Sequence, residues 1–172
     1  MPTFLSCFPS KQSQITEEDA LIRSSTKSDE CIFCNVSKGV GFNVIYEDEE
    51  LIAFHDRTPR AKIHLLIIPR HHIASSVREL RKQHIPLLNS MINLAITLIP
   101  NSSIPKMGFH IPPFSSVPHL HLHVFSGKHT FIGKFKYPIS GSNDHKGYGW
   151  FVTPNQVLNT LHQGKTVGTG RG

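Results

Sequence analysis

The run "PHLHLHVF", Pro118 to Phe125, constrains this chain more than any other. His119, His121 and His123 alternate with Leu120, Leu122 and Val124 at strict two-residue spacing. That is the period of a β-strand, in which residues i, i+2 and i+4 share one face. The imidazoles then line one face and the three aliphatic residues turn to the other and build core. Neighbours on one face lie about 6.6 Å apart at Cα, so the outer pair is separated by roughly 13 Å. A zinc–nitrogen bond is only about 2.0–2.1 Å long, so at most two of the three can share an ion, or one of them joins ligands from elsewhere. The row also suits nucleophilic catalysis. Imidazole is largely neutral near neutral pH and keeps a lone pair that can attack phosphorus. A solvent-facing strand would more simply use Thr, Lys or Glu.

The rest of the chain predicts an α+β domain. Apolar runs at 43–47 and 50–56 read as a strand pair, and "KIHLLIIP" (62–69) as a buried strand ended by Pro69. "KMGFHIPP" (106–113) and "HLHLHVF" (119–125) add two more strands, giving an antiparallel sheet of about five. The main helix is predicted over 85–100, with Pro86 in its first turn and Leu87, Met91, Leu94, Ala95 and Leu98 at helical spacing. A C-terminal helix begins after Thr153 as N-cap, with Pro154 first and Gly164 past its end. "KHTFIGKFKYP" (128–138) reads as loop or edge strand. Residues 1–29 read as a disordered tail carrying at most a short helix at "TEEDALIR", 30–164 as the domain, and 165–172 as a flexible end.

With 172 residues, one domain has enough chain for a proper core, and the net charge of +6 favours anionic partners. Three cysteines, Cys7, Cys31 and Cys34, form no disulfide framework and argue for a reducing compartment, cytoplasmic or nuclear. The N-terminus does not read as a signal peptide, and no apolar run is long enough to span a membrane.

Taken together, "CIFC", "LIAFHDRTPRAKIHLLIIPRHHI" and "GFHIPPFSSVPHLHLHV" come in the order and spacing of the histidine-triad superfamily of nucleotide hydrolases and transferases. With "YGWFV" before the last helix, the chain most resembles its adenosine phosphoramidase branch, over about residues 31–163. The resemblance implies a histidine-triad fold and hydrolysis of AMP conjugates through an AMP–histidine intermediate. It makes His121 the nucleophile, with a backbone carbonyl near His119 fixing its tautomer. His123 is then a phosphate contact, Ser116 an aid to the leaving amine, and His64 a partner on the adjoining strand. Phe33, Phe54 and His55 are expected against a purine base, and Asp56 against ribose hydroxyls. Core packing is an equal alternative for Phe33. His110 stands where many relatives place Asn in the nucleotide pocket.

In the subset of the superfamily that carries C-x-x-C, Cys31, Cys34, His72 and His119 would hold a structural zinc; two metal-free thiols are the alternative. The resemblance also implies a homodimer. Two other functions compete. One is aprataxin-like removal of AMP from nucleic acid, which the basic charge and the Lys-rich 128–138 segment would serve. That branch normally adds a C-terminal zinc finger, and no cysteine follows Cys34. The other is a non-catalytic nucleotide-binding module.

Overall fold

The computed structural model describes residues 31–99, 105–138 and 149–168. The tail reading for 1–29, including the "TEEDALIR" helix, lies outside the described residues. Strands β1 (Val44–Glu47), β2 (Leu51–His55), β3 (Ala61–Pro69), β4 (Lys106–His110), β5 (Leu122–His129) and β6 (Phe151–Val152) form one antiparallel sheet in the order β1-β2-β3-β5-β4-β6. The helices are α1 (Ile85–Leu98), α2 (Phe131–Lys136) and α3 (Pro154–His162).

Alternation along the central strands sorts residues to two faces. Leu65 and Ile67 of β3, Leu122 and Val124 of β5, and Met107 and Phe109 of β4 join Leu88, Met91, Leu94 and Ala95 of α1 in the main core. His64, Leu66 and Ile68 of β3, and His123 and Phe125 of β5, turn to the opposite face. Both faces of β3 are therefore covered, which explains its nearly unbroken apolar run. The register sets His64 opposite Phe125, and Leu66 opposite His123. Hydrophobic burial against α1 thus fixes which face the histidines occupy, because a one-residue slip would carry them into the core.

The C-terminal helix forms as its sequence predicts. The Thr153 hydroxyl accepts from Gln156 N–H at 3.4 Å, and the Gln156 side chain accepts from Thr153 N–H at 3.0 Å, a reciprocal capping box.

Three expectations need correction. The segment 128–138 is neither loop nor edge strand throughout. β5 runs on to His129, and Phe131–Lys136 is helical, with Thr130 Oγ accepting from Gly133 N–H at 3.0 Å. Gly133 is required there, because a Cβ would collide with the Arg60 carbonyl oxygen. The sheet has six strands rather than about five, the sixth being two residues that pair Phe151 with His110 and Val152 with Phe109. The ladder of β5 begins at Leu122, so of the three histidines only His123 lies within it. His119 and His121 sit in the irregular segment before it, where Leu120 N–H donates to the Ala74 carbonyl at 2.8 Å.

Candidate active site and metal centre

The histidine row divides into environments set by backbone carbonyls. His121 Nδ1 lies 2.6 Å from the His119 carbonyl oxygen. A carbonyl only accepts, so Nδ1 carries the proton and Nε2 keeps its lone pair. Burial lowers the His121 pKa, against the opposing pull of that same carbonyl, so the neutral, nucleophilic form prevails. A pocket reaches the ring, lined among others by Ser75, Ser76, His110, Ser115 and His119.

His119 is held in the opposite sense. Its Nε2 donates to the Pro69 carbonyl at 2.9 Å, which leaves the Nδ1 lone pair facing Cys31 Sγ at 3.5 Å and Cys34 Sγ at 3.6 Å. His72 Nδ1 lies 3.4 Å from Cys34 Sγ, and its Nε2 is 3.4 Å from the Ser75 hydroxyl. These four donors form one cluster. Tetrahedral zinc with bonds of about 2.3 Å to sulfur and 2.0–2.1 Å to nitrogen sets sulfur and nitrogen roughly 3.5 Å apart. The donor set and its spacing therefore fit zinc. Burial first, then the neighbouring Cys31 thiol, pushes the Cys34 pKa up to about 11, a penalty that a bound cation would reverse.

His123 is buried and has both nitrogens engaged. Its Nδ1 is 3.0 Å from His64 Nε2, and its Nε2 is 3.1 Å from His110 Nδ1. His110 Nε2 reaches the Lys136 carbonyl at 3.3 Å, and His64 Nδ1 accepts from Arg60 N–H at 3.3 Å. Burial lowers His64 and His110 to about 4 each and His123 well below its usual range. Tyr137 closes over this group, its ring centroid 4.9 Å from those of both His110 and His123. Phe125 meets Tyr137 at 4.7 Å and stacks 4.4 Å from His64.

A family model described as scavenger mRNA decapping enzyme C-terminal binding matches residues 30–136. The chain belongs to the histidine-triad superfamily. Mouse adenosine 5'-monophosphoramidase HINT3 is 34% identical over 77% of this chain and 82% of its own length. The zebrafish protein of that name is 30% identical over 87% of this chain and 92% of its own. The solved structure of a histidine-triad family hydrolase from Legionella pneumophila superposes with a TM-score of 0.53 at 30% identity, covering 59% of this chain and 96% of that one. The chain is a hydrolase of the histidine-triad type.

Within this histidine-triad site the structure brings together His64, His110, His119, His121 and His123, and sets Cys31, Cys34 and His72 around His119. Other expected residues stand differently. His55 is exposed at the end of β2, and Ser116 is exposed, while its neighbour Ser115 lines the pocket and donates to the Val117 carbonyl at 3.1 Å. Asp56 is half-buried, with one carboxylate oxygen 3.5 Å from His64 Nε2 and the other accepting from Thr58 N–H at 2.7 Å. Phe33 and Phe54 are buried edge-to-face with centroids 5.4 Å apart. Phe33 also meets the His121 ring edge-on at 5.6 Å, so it is both core and wall of the site. Sequence reasoning missed Ser115, Tyr137 and the carbonyls of Pro69 and Lys136. Tyr137 alone had a signal, as an aromatic residue in an otherwise Lys-rich stretch.

Proposed function

We propose that this chain hydrolyses AMP conjugates, chiefly AMP–amine phosphoramidates and acyl-AMP, through an AMP–histidine intermediate on His121. The observation that carries the reading is the 2.6 Å contact from His121 Nδ1 to the His119 carbonyl, which leaves an unprotonated Nε2 on a ring whose residue lines the pocket. His121 Nε2 attacks the α-phosphorus. A P–N bond to imidazole forms and the bond to the leaving group breaks; an amine departs with the electron pair and takes a proton from solvent water, whereas the carboxylate of an acyl-AMP departs as the anion. Water then cleaves the AMP–imidazole bond, giving AMP and restoring His121. Ser115 and Ser116 flank the leaving-group side. Phe33 and Phe54 supply apolar walls for a purine, and Asp56 and His55 lie at the ribose side. His119, His72, Cys31 and Cys34 hold a structural zinc that ties the N-terminal "CIFC" segment to the sheet. The names of the phosphoramidase relatives support this substrate class.

The reading includes a homodimer joined at the β4 edge, where β6 pairs with only Phe109 and His110. Its compartment is the reducing cytoplasm or nucleus, in keeping with the free thiols of Cys31 and Cys34. Among the described residues no helix is long and apolar enough to cross a membrane.

The decisive experiment compares AMP–lysine, acyl-AMP, dinucleoside polyphosphate and adenylated DNA by kcat/KM. His121→Ala abolishes turnover and retains AMP binding. Absence of wild-type turnover of every AMP conjugate would leave the binding-module reading in its place. One surface favours a second reading, removal of AMP from nucleic acid. Phe114 and Phe135 flank Trp150 at centroid distances of 6.2 and 6.3 Å, and Phe135 shares α2 with Lys134 and Lys136. Aromatic and basic groups so placed suit stacked bases and phosphates. A preference for adenylated DNA of about tenfold or more would select that reading.

A further inference from the structure

The contacts around His123 form one line. It starts at the Arg60 N–H, passes through His64, His123 and His110, and stops at the Lys136 carbonyl. Both ends are backbone groups of fixed polarity, and that decides every proton between them. Arg60 N–H can only donate, so His64 Nδ1 is an acceptor and its proton sits on Nε2. That proton points at His123 Nδ1, and Asp56 takes a weaker share of it at 3.5 Å. His123 must then carry its proton on Nε2, aimed at His110 Nδ1. His110 carries its proton on Nε2, aimed at a carbonyl that can only accept. Reasoning from the Lys136 end gives the same answer. Three neutral imidazoles in one tautomer satisfy all four hydrogen bonds, and the opposite tautomer at any one of them breaks two.

We propose that His110 is a positioning residue: it closes this chain, which locks His123 as a neutral Nε2–H imidazole and holds its ring as a fixed wall beside His121. The His121 and His123 centroids lie 5.0 Å apart at 76°, an edge-on contact that, with the edge-on contact of Phe33 at 5.6 Å, orients the nucleophile. The chain conducts no proton to the site, because it ends on a carbonyl that has none to pass on. It also ties the end of α2 to the site through main chain, so the Lys136 side chain can vary without breaking it. This deepens the proposed function and rests on His121 being the attacking group.

Two measurements separate the chain from that reading. Nitrogen-15 NMR of the histidine-labelled full chain shows, for His64, His110 and His123, a protonated Nε2 and a lone-pair Nδ1. His121 shows the reverse. This readout needs no substrate. A cationic or Nδ1–H His123 near neutral pH overturns the proposal. The second measurement is kinetic. His110→Leu removes both polar atoms at similar bulk, and we expect a mixed His123 tautomer with kcat lowered roughly 10- to 100-fold and little change in KM. His110→Asn restores, through an amide oxygen at the Nδ1 position that can only accept, the acceptor for His123, while its shorter side chain gives up the Lys136 contact, and it recovers most of kcat together with the single tautomer. A folded His110→Leu protein with unchanged His123 signals or unchanged kcat overturns the proposal, as does an Asn variant as impaired as Leu. Should no conjugate be turned over even by the wild type, the function fails while the NMR arm still decides the chain.

Discussion

Acid should unfold this protein through its buried histidines before its carboxylates titrate. His64 and His110 are held neutral by burial, with pKa values near 4 against 6.5 for an exposed imidazole. Between those values the unfolded chain takes up a proton at each position and the folded chain does not. Stability therefore rises with pH across this window and falls as pH drops from 6.5 toward 4. Integrating from pH 7 to pH 5 gives a loss of roughly 2 kcal/mol per group, or about 4 for the two. That is a large part of a typical domain stability of about 5–15 kcal/mol. Urea unfolding followed by tryptophan fluorescence at half-unit pH steps, with a chelator present throughout so that metal loss adds nothing, measures it directly. His110→Asn should remove that group's own share, roughly 2 kcal/mol of the loss, since its amide oxygen keeps the acceptor for His123 without the titrating ring. A stability flat to within about 1 kcal/mol between pH 7 and 5, or one that rises on acidification, would refute the assignment of neutral buried imidazoles.

Other expectations follow from single contacts. Gly108→Ala would drive its new Cβ into the Phe151 ring and to 2.7 Å from the Val152 carbonyl oxygen, displacing β6. We expect a loss of about 1–3 kcal/mol by thermal denaturation, and a variant as stable as wild type would contradict the packing. Zinc added to metal-free protein at about 1,000 times its dissociation constant should raise stability by roughly 4 kcal/mol. Cys34→Ser should abolish most of that gain, as read by calorimetry. Thr153→Ala removes the α3 cap and should cost about 1 kcal/mol. Met91→Ala, fully buried in α1, should cost about 2–5 kcal/mol, whereas the same change at a surface position would cost little.

The sequence discloses those parts of the fold whose physics is local or periodic. β3 is legible because both of its faces are covered, so its apolar run is unbroken. α3 is legible because Thr153, Pro154 and Gly164 punctuate it, and Gly164 does take the left-handed conformation, with φ 70°. α2 is hidden because six residues with two aromatics and two lysines carry too little periodicity to separate helix from strand, and its decisive residue, Gly133, acts through a remote contact with Arg60. β6 is hidden because two residues have no period at all. In the site, the identities of the histidines can be read from the chain, whereas their protonation cannot. It depends on main-chain atoms of Arg60, Pro69, His119 and Lys136, which every residue possesses and no side-chain pattern advertises.

That dependence explains how three identical side chains in alternation acquire unlike chemistry. Burial of Leu120, Leu122 and Val124 in the core turns the alternating histidines away from it, but gives no ring a preferred nitrogen. Selection falls to the nearest backbone group. The Pro69 carbonyl takes the Nε2 proton of His119 and leaves Nδ1 for a metal, while the His119 carbonyl takes the Nδ1 proton of His121 and leaves Nε2 for substrate. His123 meets no carbonyl and inherits its tautomer from His64 and His110. Exchanging the environments of His119 and His121 would turn the metal ligand's lone pair toward the carbonyl and the nucleophile's away from the pocket. The row is thus held as tightly by what lies behind each ring as by the leucines between them. A substitution that leaves all three histidines intact but shifts the 119–121 backbone should therefore silence the site as thoroughly as losing His121 itself. The passage through Leu120, pinned by its N–H to the Ala74 carbonyl at 2.8 Å, is where such a shift is prevented. Leu120→Pro removes that donor, and we expect it to abolish turnover in protein that still folds by circular dichroism. A folded Leu120→Pro chain with normal kcat would show that the carbonyl at 119 does not set the nucleophile.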